Sequence, residues 1–369
     1  MNQQLFLEMI DAAINGKTID LSEVNEEFIR VAKEQTFLPF LYVASKDKKY
    51  KKYYIQSVLI HERINEVGKL IDNILNEAKI PHIFLKGYEL QNLYPDPNLR
   101  MMGDIDILVK PEDYDKALKL LLNNNFKTIL ESDKDYELSY NNINVELHHK
   151  LFEDFRILKD FFNKPFENTI TNESYNYKFD DNYNFIYIVG HYAKHINMGA
   201  GLREIIDIYL LLKNKNLNIE YITTILKEFN LNKFFNMILN ELSTIFNYNN
   251  IKYIENKDTN KMISYCLKCG IHGFANDNNT HIANEINNLN NGNKIKFVFK
   301  KLFIPIKQLF SLYPWSKLII TIPFAYIYRL FYLLVNKNKE LKKAIKYKKD
   351  ENYYLLKSLN LNTIDNNNK

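Results

Sequence analysis

The residues best equipped for chemistry stand in "RMMGDIDILVKPEDY", residues 100–114, where Asp104 and Asp106 flank Ile105 at the mouth of an apolar run. On a β-strand, residues two apart share a face, so both carboxylates project together while Ile105 and Ile107 turn the other way. Two ionised carboxylates side by side repel and raise one another's pKa, and a cation between them relieves the repulsion. Oxygen donors of this kind suit Mg²⁺ or Mn²⁺ rather than zinc. A further acid stands in "NVELHHK", residues 144–150, where Glu146 lies between Val145 and Leu147 in a second β-like run.

Two ions ~3.5–4 Å apart can activate an attacking oxygen and stabilise a leaving one in an in-line phosphoryl displacement. The phosphates of a nucleotide then need a seat. "FLKGYELQ", residues 84–91, offers one: a strand ends, Gly87 lets backbone approach an anion, and a helix N-terminus follows. Lys86 adds a point charge, and Arg100 a fork that fits phosphate oxygens. The expected site is therefore Asp104, Asp106 and Glu146 as catalytic, metal-holding carboxylates, with Lys86, Gly87 and Arg100 binding the nucleotide.

The order of these parts resembles the nucleotidyltransferase superfamily of DNA polymerase β type. It is most similar to a group of uncharacterised bacterial nucleotidyltransferases whose pattern runs L-K-G, then R, then D-I-D with a hydrophobic strand, then hydrophobic-E-L-H. Here these read Leu85-Lys86-Gly87, Arg100, "DIDILV" at 104–109 and "VELHHKL" at 145–151. The group also carries a downstream helix with Lys-His and an acid, matched by Lys194, His195, Arg203 and Asp207 in "AKHINMGAGLREIIDI". The wider superfamily has Gly-Ser where this chain has Lys86-Gly87 followed by Tyr88, so the usual serine contact to the terminal phosphates is missing. The resemblance implies transfer of a nucleoside monophosphate from an NTP to an unidentified acceptor (a small molecule, a peptide or a surface precursor), with Mg²⁺ or Mn²⁺ and release of pyrophosphate. Two other readings stand beside it: a toxin-like transferase acting on tRNA or RNA ends, and a non-catalytic nucleotide-binding regulator.

Several further residues invite a role. His148, two after Glu146, shares its strand face and could touch substrate. His191 and His195 are spaced to share a helix face. Arg203 and Asp207, at i and i+4, form an intrahelical ion pair by default, with a role toward substrate as the alternative. Cys266-x-x-Cys269 with His272 and His281 resembles part of a zinc site, but "KMISYCLKCGIHGF" reads better as a helix ended by Gly270.

The elements that must hold these side chains follow from periodicity. Residues before about 80 repeat apolar positions at three- and four-residue intervals, as helices do. "KIPHIFLKG", 104–110, "FKTILE", "YELSY" and "INVELHH" read as strands, with Asn141–Asn142 as a hairpin turn and a helix beginning at Pro111. The fold class is α+β: a small mixed sheet forming the nucleotidyltransferase core, flanked by an N-terminal helical region and a larger C-terminal helical region. The expected boundaries are 1–78, helical; 79–152, catalytic core; 153–260, helices packing on the active site; and 261–369, a basic, aromatic-rich helical region.

Whole-chain properties bound the rest. The 369 residues carry a net charge of +5 and two cysteines, so no disulfide framework is implied and a reducing cytoplasm is the default. The N-terminal "MNQQLFLEMIDAAING" lacks the basic and apolar regions of a signal peptide. From 294 to 349 there are fourteen Lys/Arg against one acid, Glu340, which leaves the remainder net acidic. The apolar stretch 315–335 is interrupted by Lys317, Pro323 and Arg329, so no transmembrane span is expected. That basic segment could touch a membrane surface or RNA, although no RNA-reading motif accompanies it.

Overall fold

In the computed structural model, residues 1–131, 136–152, 156–170, 174–196, 199–271, 273, 299–300, 302–336 and 351–361 are described. The chain opens with α1 (Gln3–Asn15), α2 (Glu26–Glu34), α3 (Leu38–Ser45) and the long α4 (Lys51–Glu77). Local chemistry sets their ends. Asn2 and Asn25 accept from the backbone N–H groups of Leu5 and Phe28, capping α1 and α2, and Gly16 closes α1 in the left-handed conformation.

A five-stranded sheet follows, built from β1 (His82–Phe84), β2 (Asp104–Val109), β3 (Lys127–Glu131), β4 (Tyr136–Tyr140) and β5 (Ile143–His148). Its order is β1-β2-β5-β4-β3, with β2 and β5 parallel and every other pair antiparallel. A short α5 (Lys86–Leu90) leaves β1, and α6 (Tyr114–Asn123) connects β2 to β3. Asn141 and Asn142 both have positive φ, the backbone that a two-residue hairpin turn requires, and Tyr140 pairs with Ile143 across it.

The two faces of the sheet serve different cores. Ile105, Ile107, Val109, Val145 and Leu147 pack with Ile64, Val67, Ile71 and Leu75 of α4 and with Ala117 and Leu121 of α6. Leu108, on the opposite face with the aspartates, joins a larger core. That core is shared by α1–α3 and by α7 (Arg156–Phe161), α8 (Asp181–Ile196), α9 (Arg203–Asn214), α10 (Ile219–Glu228), α11 (Asn232–Phe246) and α12 (Thr259–Cys269). The first three helices and the helices after residue 180 thus close over one apolar interior, with the acid-bearing face of the sheet turned toward it. As the sequence predicts, α12 ends at Gly270, and Cys266 and Cys269 are buried. His272 and His281, the remaining members of the zinc pattern, lie outside the described residues.

Candidate active site

The acids come from two adjacent interior strands, β2 and β5. Asp104 and Asp106 lie at the start of β2, and Glu146 of β5 is the direct register partner of Asp106 across the parallel pairing. Asp106 is buried, whereas Asp104 and Glu146 are partly open. Burial together with the neighbouring Asp106 and Glu146 pushes the Asp104 carboxyl above the usual range. Burial acts in the same direction on Asp106, but Lys86 and His148 outweigh it and hold this carboxyl well below that range.

Lys86 Nζ donates to Asp106 Oδ1 at 2.8 Å, and His148 Nε2 donates to the same oxygen at 2.9 Å. The same imidazole nitrogen lies 3.3 Å from Glu146 Oε2. Lys86 is aimed by its backbone: β1 continues through Leu85, whose N–H bonds to the Asp106 carbonyl, and Lys86 then takes φ +48°. A left-handed lysine is strained by ~1–2 kcal/mol, and here it turns the ammonium back onto the acid strand. The ligand atoms of Asp106, Glu146 and His148 lie within 4.8 Å of one another, close enough to share one cation. Asp106 and Glu146, beside an Asp104 whose charge is disfavoured by its acidic neighbours, fit a divalent metal, with the His148 N–H on Asp106 holding the carboxylates in place.

The nucleotide-binding residues expected from sequence divide. Lys86 stands at the acids, but Gly87 is buried, and a Cβ there would sit 3.1 Å from Met102 Sδ and 3.5 Å from an Arg100 terminal nitrogen. The glycine thus admits the chain segment that leads into β2. Arg100 does not offer its fork to phosphate: it is buried and bound bidentately to Asp207, Nε to Oδ1 and Nη2 to Oδ2, both at 2.8 Å. Tyr94 donates a further hydrogen bond to Asp207 Oδ1 at 2.8 Å. Nor do Arg203 and Asp207 form the expected intrahelical pair. Asp207 is engaged by Arg100, 107 residues away, because a buried carboxylate gains more from a planar two-pronged donor than from a single contact by its neighbour four residues back on the helix.

Arg203, unlike Arg100, lies near enough to the acids for its charge to act on Asp104. Its Nη1 donates to the Met101 carbonyl at 3.2 Å, its charge opposes part of the rise in the Asp104 pKa, and its Nε is buried without a hydrogen-bond partner. Across the site, α8 places Tyr187, His191 and His195 on one face, with the two imidazoles 4.2 Å apart centre to centre. Burial, with Lys194 and Lys86 nearby, lowers His195 to about 4, and burial beside Lys86 lowers His191 as well. Tyr187 is raised by burial and feels the charges of Lys86, Asp106 and Glu146. Neither Tyr187 nor Tyr94 stands out in the sequence, where each is one tyrosine among 26.

Carboxylates on adjacent interior strands, a lysine bound to one of them and an arginine beside another are the equipment of an enzyme that handles phosphoryl groups. The comparison with known families agrees: the profile described as uncharacterised nucleotidyltransferase matches residues 25–247, and the chain belongs to that family. It is a transferase by that membership. A search of the curated proteins finds no match to the chain.

Proposed function

We propose that the protein transfers a nucleoside monophosphate from an NTP to an acceptor hydroxyl and releases pyrophosphate. The observation that carries this reading is the register pairing of Asp106 with Glu146, with Asp104 on the same face of β2. Asp104, Asp106 and Glu146 would hold Mg²⁺ or Mn²⁺, which would supply Lewis-acid stabilisation of the charge developing on the phosphoryl oxygens. Glu146, the more open acid opposite Asp106, takes the proton of the acceptor hydroxyl. The acceptor oxygen then bonds to the α-phosphorus as the bond to the bridging oxygen breaks, and pyrophosphate departs with the electron pair. Lys86 and Arg203 neutralise the phosphates, Arg203 in place of Arg100. His148 holds Asp106 in orientation, while the neutral imidazoles of His191 and His195 wall the side on which the acceptor enters.

The test is a thermal-shift titration with each of the four NTPs, with and without Mg²⁺, against Asp104→Asn/Asp106→Asn. A ligand at ~100 times its Kd adds ~2.7 kcal/mol to stability. Stabilisation that needs Mg²⁺ and vanishes in the double variant is expected, and it names the base. Stabilisation by NTP that is indifferent to both metal and variant would replace this reading with a nucleotide-binding scaffold.

A further inference from the structure

The helix Ile322–Asn336, "IPFAYIYRLFYLLVN", has one charged residue, Arg329, and apolar side chains all round. Its inner stripe is accounted for. Ala325 packs with Ile304 and Leu309, and Tyr326 donates to the Ile304 carbonyl at 2.7 Å. Its outer stripe is exposed: Phe324, Ile327, Tyr328, Phe331 and Val335, spaced at helical intervals, each have half or more of their surface open, with Val335 reaching 74%. Trp315, also exposed, packs edge-on against Tyr328 with ring centres 6.2 Å apart. A helix that faces water normally turns charges outward, and one that is apolar on every side is covered. An aromatic and aliphatic face of this extent marks an interaction surface.

We propose that this face binds the surface of an anionic lipid bilayer. Length decides between lying on a membrane and crossing it. Fifteen residues of helix extend ~22 Å, short of the ~30 Å hydrocarbon core. In addition, no helix among the described residues is long and apolar enough to span. Charge decides the occupant. The sequence around this helix, 294–349, carries fourteen cations and one acid in a chain whose remainder is net acidic. A negatively charged surface attracts the one region and repels the other, which orients the protein. Trp315, Tyr328 and Phe331 are amphipathic or aromatic anchors of the sort that settle at the headgroup boundary. A second copy of the chain would bring two such basic segments together. An RNA strand would leave Ile327 and Val335 uncovered, because aliphatic side chains give bases nothing to stack on.

The full chain is floated with vesicles of phosphatidylcholine alone and of phosphatidylcholine mixed with phosphatidylglycerol, beside Phe324→Ser/Phe331→Ser. Both substituted residues are exposed, so the variant is expected to keep the wild-type melting temperature. Flotation with the anionic vesicles only, weakened by salt and reduced at least tenfold in the variant, is the expected result. Absence of flotation overturns the proposal, as does flotation that the variant leaves unchanged. Concentration-dependent self-association, or an RNA mobility shift, that the variant abolishes while vesicles fail to bind would assign the face to that partner instead. None of these outcomes depends on the transferase reading.

Discussion

His148 ties the two acid strands together through one nitrogen shared between Asp106 and Glu146. Partners that orient metal-holding carboxylates typically matter by ~10–100-fold in metal affinity. His148→Ala is therefore expected to raise the Mg²⁺ or Mn²⁺ concentration needed for half-maximal NTP-dependent stabilisation by that factor, with the fold intact by circular dichroism. Two other groups give stability opposite pH dependences. His195 is lowered from 6.5 to about 4, so the unfolded chain binds a proton that the folded chain refuses between those values. Its contribution shrinks as pH falls through that window. Glu241, fully buried with both oxygens unpartnered, is pushed by burial well above its ordinary 4.5, so it keeps its proton when folded and loses it when unfolded. Its contribution shrinks as pH rises above about 4.5. Urea titrations across this range are expected to show Glu241→Gln gaining stability relative to wild type as pH rises, and His195→Gln gaining as pH falls.

At the scale of elements, the segment that delivers β2 is anchored by Arg100, Asp207 and Tyr94. Removing one partner of a buried pair leaves an uncompensated charge and costs ~3–5 kcal/mol. Arg100→Met is expected to lose stability by that amount in chemical denaturation. Arg100→Met/Asp207→Leu should recover most of it, because no buried charge is then stranded. A second contact explains the aromatic residue after Lys86-Gly87. Tyr88 packs tilted against Phe84 with ring centres 4.5 Å apart and lies over Gly68 in α4, where a Cβ would run into its hydroxyl and ring. Gly→Ala inside a helix ordinarily gains ~1 kcal/mol. Gly68→Ala is expected to destabilise the protein, and to revert to that ordinary gain in a Tyr88→Ala background.

For the whole molecule, the family match and the folded unit have different limits. The match covers 25–247, yet Phe6, Met9 and Ile10 of α1 and Met262, Ile263 and Cys266 of α12 are fully buried in the core that α8–α11 also line. Gln35, at the end of α2, donates to the Cys266 carbonyl at 2.8 Å and accepts from the Leu202 N–H at 2.9 Å, joining three distant parts of the chain. Each lost core side chain of this size costs ~2–5 kcal/mol, comparable to a large part of a domain's net stability. A fragment limited to 25–247 is therefore expected to lack cooperative thermal unfolding, whereas the full chain keeps it.

The sequence alone determined what depends on neighbours a few residues apart. The alternation in "DIDILV" set which side chains face the acids, the Asn141–Asn142 pair set the hairpin, and Gly270 set the end of α12. It also brought out Asp104, Asp106 and Glu146, because charge inside an apolar strand is conspicuous without any partner in view. The tertiary structure alone decided how the basic residues were used. Along the chain Arg100 looks suited to phosphate and Arg203 to Asp207 four residues on, and only the packing of α9 against the segment before β2 gives Arg100 to Asp207 and leaves Arg203 beside Asp104. Likewise, Gly87 was conspicuous as a glycine, but the left-handed residue is its neighbour Lys86, held there by an ion pair to a strand twenty residues on. Ion pairs across such separations depend on how the cores close, and a one-dimensional pattern carries no trace of which partner wins.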